Sequence, residues 1–194
     1  MPDSKPRYEF RVWGSSLADV RARLEALAAP SRTENSRETY LIVPAAEHCN
    51  AKIRGGLMDI KQMVAVERGL EQWKPVFKRE FPLDRAAIGE VFAALGLPAP
   101  QLSRERYSID EFLHDAGAVH GPIRIVPVSK ARVHFEIDRC QAEFAAVTLG
   151  QVARDTVAVE SADADAVIEL TQRLGIGGRP NTSYVRQIKQ LLQL

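Results

Sequence analysis

Apolar and polar residues alternate one by one along several stretches of the chain and recur every three to four residues along others. Tyr8–Trp13 alternates strictly, with Tyr8, Phe10 and Val12 on one face and Glu9, Arg11 and Trp13 on the other, which predicts a strand. Gly14 ends it, Ser15 or Ser16 is placed to cap a helix, and Leu17, Val20, Leu24 and Leu27 follow at helical spacing up to Pro30. Residues 31–38 are polar and read as a loop. Strand character returns over Thr39–Val43, Asn50–Arg54 and Leu57–Val66, with Gly55-Gly56 as the hairpin turn between the last two. A loop at Gly69 precedes a further strand, Lys74–Leu83.

Asp84 is placed as the N-cap of a helix that carries Ile88, Val91, Phe92 and Leu95 and stops at Gly96. The Pro98–Pro100 stretch marks a hinge near the middle of the chain, and Ser108-Ile109-Asp110-Glu111 has the form of a capping box. From Pro122 the pattern turns to strands again: Ile123–Val128, Lys130–Arg139, Gln141–Leu149 and Thr156–Glu160. Ser161 or Asp163 opens a helix with Ala166, Val167, Leu170 and Leu174 at helical spacing. Gly175–Pro180 is loop, and Asn181 or Thr182 caps a last helix through Tyr184, Ile188 and Leu191. Two halves result, each of about four strands and one or two helices. This is an α+β chain whose antiparallel strands form either one open sheet or a closed barrel.

Composition narrows the class. The chain has 194 residues, 45% hydrophobic and 26% charged, which suits one packed domain over residues 1–194 and excludes wholesale disorder. Lys and Arg number 26 against 25 Asp and Glu, a net charge of +1, so total charge argues for neither nucleic acid nor membrane as a partner. No apolar run is long enough to span a membrane, and the polar segment Met1–Tyr8 lacks the apolar core of a secretory signal. Cys49 and Cys140 stand alone, without CxxC spacing, which points to a reducing, cytoplasmic setting.

The arrangement of charge says more than its total. In Lys130–Asp138 the residues Lys130, Arg132, His134, Glu136 and Asp138 share one face, opposite Ala131, Val133, Phe135 and Ile137. Lys52 and Arg54 oppose Ala51 and Ile53, Asp59 and Lys61 oppose Met58 and Ile60, and Glu9, Glu143 and Glu160 each oppose an apolar neighbour. If the apolar faces pack on helices, the polar faces look into water on an open sheet or line the inside of a barrel. Inside a barrel, Lys52, Arg54, Lys61, Lys130 and Arg132 require a polyanion or facing carboxylates, because unpaired buried charge is very costly. Glu9, Glu143 and Glu160 supply some of that balance or hold a divalent metal, and the face as a whole leans positive.

Taken in order, these segments resemble the CYTH domains of the triphosphate tunnel metalloenzyme superfamily, which includes thiamine-triphosphatases, inorganic triphosphatases and class IV adenylate cyclases. The pieces are Glu9-Phe10-Arg11-Val12-Trp13, the helix after Ser16, Glu38–Ile42, Ala51-Lys52-Ile53-Arg54, Asp59-Ile60-Lys61, Lys130-Ala131-Arg132, Ala142-Glu143-Phe144, Val157–Glu160 and Thr182–Val185. The resemblance spans essentially the whole chain. It implies an antiparallel eight-stranded β-barrel, a tunnel, with helices packed outside. It also implies Lys52, Arg54, Lys61, Lys130 and Arg132 as phosphate ligands and Glu9, Glu143 and Glu160 as ligands of Mg²⁺ or Mn²⁺.

The activity implied is metal-dependent hydrolysis of a triphosphate, inorganic or organic. The alternatives are a tunnel that binds polyphosphate or a nucleotide without turnover, and a cyclase acting on ATP. The partner is a triphosphate-bearing small molecule or polyphosphate, with no specific nucleic acid and no membrane. The chain departs from the E-x-E-x-K signature at Arg11 and Trp13, and Ala158 stands where the E-x-E strand has its first carboxylate. One metal ion is therefore better supported than two, and Arg11 is expected to contact phosphate or pair with Glu9.

Other candidates carry less. Gly175–Gly178 lacks a P-loop lysine and reads as a helix stop, and Asp110 with His114 is a surface pair. His48 and Cys49 sit in a loop without evident partners, while Trp13 and Trp73 are packing residues. His134 shares the cationic face as a tunnel acid/base or a hydrogen-bonding group. Lys78 or Arg79 adds a further cation.

Overall fold

A computed structural model of the chain describes residues 5–119 and 123–194. Its strands are β1 (Arg7–Gly14), β2 (Arg32–Ile42), β3 (Cys49–Arg54), β4 (Leu57–Glu67), β5 (Leu70–Glu80), β6 (Leu83–Asp84), β7 (Arg106–Tyr107), β8 (Arg124–Ile137), β9 (Cys140–Leu149) and β10 (Val152–Ser161). The helices are α1 (Ala18–Leu27), α2 (Arg85–Ala94), α3 (Ile109–Val119), α4 (Ala164–Arg173) and α5 (Tyr184–Leu192). Eight strands close into an antiparallel barrel in the order β1-β10-β9-β8-β2-β3-β4-β5, with β5 returning to β1, and β6 pairs with β7 apart from it. Closure decides between the open sheet and the barrel. No helix among the described residues is long and apolar enough to cross a membrane.

Contacts divide the chain into two compact units that interleave in sequence. The first takes residues 1–36, 63–74 and 128–183, and the second residues 37–62, 75–127 and 184–194. The expected pair of sequence halves is therefore not the structural division, and Pro98–Pro100 lies inside the second unit. In the first unit, Phe10 and Val12 of β1, Phe135 of β8, Phe144 of β9 and Val157 and Val159 of β10 pack with Val20 and Leu24 of α1 and Val167 and Leu170 of α4. In the second, Ile53, Met58, Ile60 and Phe77 pack with Ile88, Val91 and Phe92 of α2, Tyr107, and Phe112 of α3. Each such side chain removed from water contributes about 1.5–3 kcal/mol. Because the apolar face of every one of these strands meets helices, the other face of the barrel wall receives the polar positions.

Several element boundaries move. Residues 32–38 belong to β2 and not to a loop; their alternation escapes a hydrophobicity reading because both faces there are polar. β5 starts at Leu70 and β10 at Val152, each four residues earlier than expected. Cys49 opens β3, where burial pushes its thiol up to about 12. The strands expected over Ile123–Val128 and Lys130–Arg139 are one: β8 starts at Arg124 and runs unbroken to Ile137.

The N-cap of α1 is Leu17, not a serine; its N–H donates to Asp155 Oδ2 at 2.9 Å, while Ser16 Oγ accepts from Ala18 N at 3.5 Å. Asp84 caps α2 as expected, accepting from Ala87 N at 2.8 Å. Ser108 and Glu111 form the capping box of α3. Asp163, of the two candidates, caps α4.

Candidate functional site

On the first unit, the polar face of the wall can be read row by row across β1, β10, β9 and β8. Arg11 lies directly across from Ala158, Ala158 from Glu143, and Glu143 from His134. One row along, Glu71 of β5, Glu9 and Glu160 are cross-strand neighbours. The Arg11 side chain is 8% exposed and donates Nε–H to Glu9 Oε1 at 2.9 Å. Its Nη1 reaches Glu143 Oε1 and Thr156 Oγ1, both at 3.4 Å. Thr156 in turn donates to Val12 O at 2.9 Å, which holds its oxygen toward the guanidinium.

Lys130 and Arg132 of β8 are both about 4% exposed. Arg132 Nη1 is bonded to Glu34 Oε1 of β2, and its Nε lies 3.6 Å from Glu143 Oε2. His134 stands between the same two carboxylates, 3.8 Å from Glu34 and 4.0 Å from Glu143. Burial alone would raise the Glu143 carboxyl; Arg11, Arg132, Lys130 and His134 outweigh it and hold the pKa below its ordinary value. Glu34 shows the same contest, with burial opposed mainly by Arg132, and its pKa is also lowered. Glu160 lies 3.7 Å from Arg7 Nε.

Asn181, expected as a helix cap, instead completes β1. Its Oδ1 accepts from Arg11 N at 2.9 Å, and its Nδ2 donates to Glu9 O and Gly69 O at 3.0 Å. Pairing of β1 with β5 runs only from Arg7 to Glu9, and the Asn181 carboxamide supplies backbone partners beyond it. The Trp13 indole donates to Thr182 O at 2.9 Å and Trp73 to Glu71 Oε2 at 3.2 Å, so both act in packing and tethering.

On the second unit, Glu38 of β2 is 2% exposed and faces Arg54 across the ladder. Its carboxylate lies 3.6 Å from Lys52 Nζ and 3.7 Å from Arg54 Nη1, and Arg54 also approaches Asp59 at 3.8 Å. Lys61 lies across from Asn50. Burial pushes the Lys52 ammonium's pKa down, and Glu38 only partly restores it. The Lys52 ammonium sits over the Tyr40 ring, 5.9 Å from its centroid, and Tyr184 of α5 stacks on that ring at 5.7 Å.

The expected residues thus fall into two groups. Arg11, Lys130, Arg132, Glu9, Glu143 and Glu160 share the polar wall of the first unit, and Lys52, Arg54 and Lys61 that of the second. Asp138 leaves the expected face: it occupies the β8–β9 turn at φ +53° and pairs with Arg173 at 2.6 Å. Arg79 leaves it too, bonding Glu90 of α2 at 2.8 Å on the helix side. Glu34 and Glu38 are counter-charges that the sequence reading does not single out. The even spacing of Glu34 and Glu38 in front of Tyr40 was their only signal. With them present, carboxylates of this chain stand beside the expected cations: Glu9 and Glu143 beside Arg11, Glu34 and Glu143 beside Arg132, and Glu38 beside Lys52 and Arg54.

The carboxylates named for a divalent metal do not fit one. Arg11 binds Glu9 and Glu143 together, Arg7 approaches Glu160, and among the described residues no group of three or more His, Cys, Asp or Glu is arranged to hold a metal ion. A guanidinium adds a positive charge where Mg²⁺ would need free oxygen donors.

No family model and no curated protein sequence matches the chain. Solved structures do. A conserved hypothetical protein from Pyrococcus furiosus is 18% identical over 94% of this chain and 98% of its own, with a TM-score of 0.55. A protein from Pyrococcus horikoshii is 16% identical over 94% and 98%, with a TM-score of 0.56. HpAC1 from Hippeastrum, assigned as an adenylyl cyclase and found to have a dominant triphosphatase activity, is 13% identical over 97% of both chains, with a TM-score of 0.52. At these identities the likeness is one of architecture, and it extends over nearly the full length of each chain: this protein has the eight-stranded barrel fold of that group.

Proposed function

We propose that residues 1–194 form a single triphosphate tunnel domain of the CYTH type, whose barrel binds a triphosphate-bearing small molecule or polyphosphate. The observation that carries this reading is the pair Lys130 and Arg132, both about 4% exposed on the wall of β8 that faces away from the helices. A buried cation is stable only with an anion beside it, and Glu34 and Glu143 stand in that role beside Arg132. A phosphoryl chain competes with Glu34 for the planar guanidinium, which suits tetrahedral oxyanions. Lys52, Arg54 and Lys61 are proposed as further phosphate ligands, supported by their order along the chain and the lowered pKa that burial imposes on Lys52. A bound phosphate would relieve that penalty.

Binding without turnover is the better-supported form of this reading, because Arg11 engages the carboxylates that a metal-dependent hydrolase would use. Hydrolysis remains the second reading, favoured by the triphosphatase activity that HpAC1's structure is reported with on the same fold. Nothing in the chain favours a cyclase.

Calorimetric titration with tripolyphosphate, paired with a phosphate-release assay on tripolyphosphate and ATP under Mg²⁺ and Mn²⁺, tests the reading. Wild-type protein is expected to bind tripolyphosphate without releasing phosphate. Arg132→Ala is expected to lose roughly 10- to 100-fold in affinity, the size of one charge-assisted hydrogen bond. Phosphate release with either metal would establish the hydrolase instead. If Arg132→Ala and Lys52→Ala both bind as wild type does, the barrel is not the anion site.

A further inference from the structure

The two departures from the carboxylate pattern, Arg11 on β1 and Ala158 on β10, are partners in the ladder. They lie directly across from each other, and Glu143 of β9 lies across from Ala158 on the other side. Cross-strand neighbours have Cβ atoms about 5 Å apart, so a carboxylate side chain at 158 would stand in the space between β1 and β9. Alanine leaves that space open, and the Arg11 side chain crosses it to place Nη1 at 3.4 Å from Glu143 on the strand beyond. The same guanidinium holds Glu9 through Nε at 2.9 Å and meets Thr156 at 3.4 Å. One built-in cation therefore ties carboxylates from two non-adjacent strands, and Asn181 fixes its backbone from the β5 side.

We propose that Arg11, given passage by Ala158, is a resident cation that takes the place of a divalent metal at Glu9 and Glu143, so that this wall of the barrel does not take up Mg²⁺ or Mn²⁺. The two residues then act together: the Arg11 guanidinium is the counter-ion, and the small side chain of Ala158 between β1 and β9 lets it through. Glu9 and Glu143 act as positioning residues for Arg11, and the positive charge at this point of the wall is permanent and independent of metal supply. The proposal concerns metal uptake by the protein alone and does not depend on which anion, if any, the barrel binds.

Electron paramagnetic resonance of Mn²⁺, in which bound ion is lost from the free-ion signal, tests this with no anion present. Wild-type protein is expected to leave Mn²⁺ free at millimolar concentrations. Arg11→Gln, and Arg11→Glu combined with Ala158→Glu, are expected to tighten Mn²⁺ binding roughly 10- to 100-fold, by uncovering or completing the oxygen set. Adding Glu143→Gln to either variant is expected to remove the gain. Arg11→Gln needs no extra room and is the arm least exposed to misfolding; circular dichroism checks both. Stoichiometric Mn²⁺ binding by wild type that Glu143→Gln abolishes would overturn the proposal, as would folded variants that gain nothing.

Discussion

Glu143 shows how one half-buried carboxylate sets the chemistry of its surroundings. Desolvation by itself would favour its neutral form, yet Arg11 on one side and Arg132 on the other keep it ionised, and its pKa is lowered. A carboxyl group depressed in the folded state contributes stability above its unfolded pKa of about 4.3, and that contribution is lost as pH falls through the folded value. Replacing Glu143 by Gln leaves Arg11 with Glu9 and Arg132 with Glu34 but takes one carboxylate from each, so the cost lies below the roughly 3–5 kcal/mol of a fully orphaned buried charge. Unfolding free energies from urea titrations of wild type and Glu143→Gln are therefore expected to differ by about 1–3 kcal/mol near pH 7. The gap is expected to narrow once pH drops below the carboxylate range. A gap that stays constant from pH 7 to pH 3 would show that the charge on Glu143 is not what stabilises the wall. At this scale the sequence was partly legible: Arg11 and Ala158 could be seen as departures, but not as neighbours. Their pairing follows from ladder register, Arg11 against Ala158.

Elements were legible where their signals are local. Asp84, the Ser108–Glu111 box and Asp163 stand at helix starts because a short side-chain oxygen satisfies N–H groups two or three residues on, a geometry contained in a few successive residues. Asp84→Ala is expected to cost about 1 kcal/mol, measured as a fall in urea midpoint, with Asp84→Asn recovering most of it. Gly55 and Gly56, at φ +55° and +80°, form the left-handed turn their sequence announces. Arg68 at φ +54° before Gly69 at +80° makes the same kind of turn with a residue that does not announce it, so the pattern places the start of β5 four residues late. The polar run of β2 looks like a loop in the sequence for a related reason. Alternation is visible only when one face is apolar, and there Arg32, Thr33, Asn35 and Arg37 share the strand with Glu34, Ser36 and Glu38.

At the scale of the whole molecule, the proposed anionic ligand is expected to exchange with carboxylates already beside the cations, such as Glu34 beside Arg132 and Glu38 beside Lys52. Such a ligand stabilises the fold by mass action, by about 2.7 kcal/mol at a hundred times its Kd. For a chain of 194 residues this corresponds to a rise of roughly 5–10 °C in Tm. Thermal melts with tripolyphosphate at low salt are expected to show that shift, and added salt to reduce it through screening. An unchanged Tm at saturating tripolyphosphate would remove the anion-binding reading. By itself the sequence determined the strands with one apolar face, the helices that cover those faces and the order of charged segments along the chain. Each is a property of consecutive residues, governed by a period of 2 or 3.6. Only the tertiary structure decided that the strands close into a barrel and that Glu34 answers Arg132, Glu38 answers Lys52 and Arg54, and Arg11 joins Glu9 to Glu143. Arg11 and Glu143 are 132 residues apart in sequence. Which charges meet is set by the register between strands, and the repeat within any one strand does not contain it.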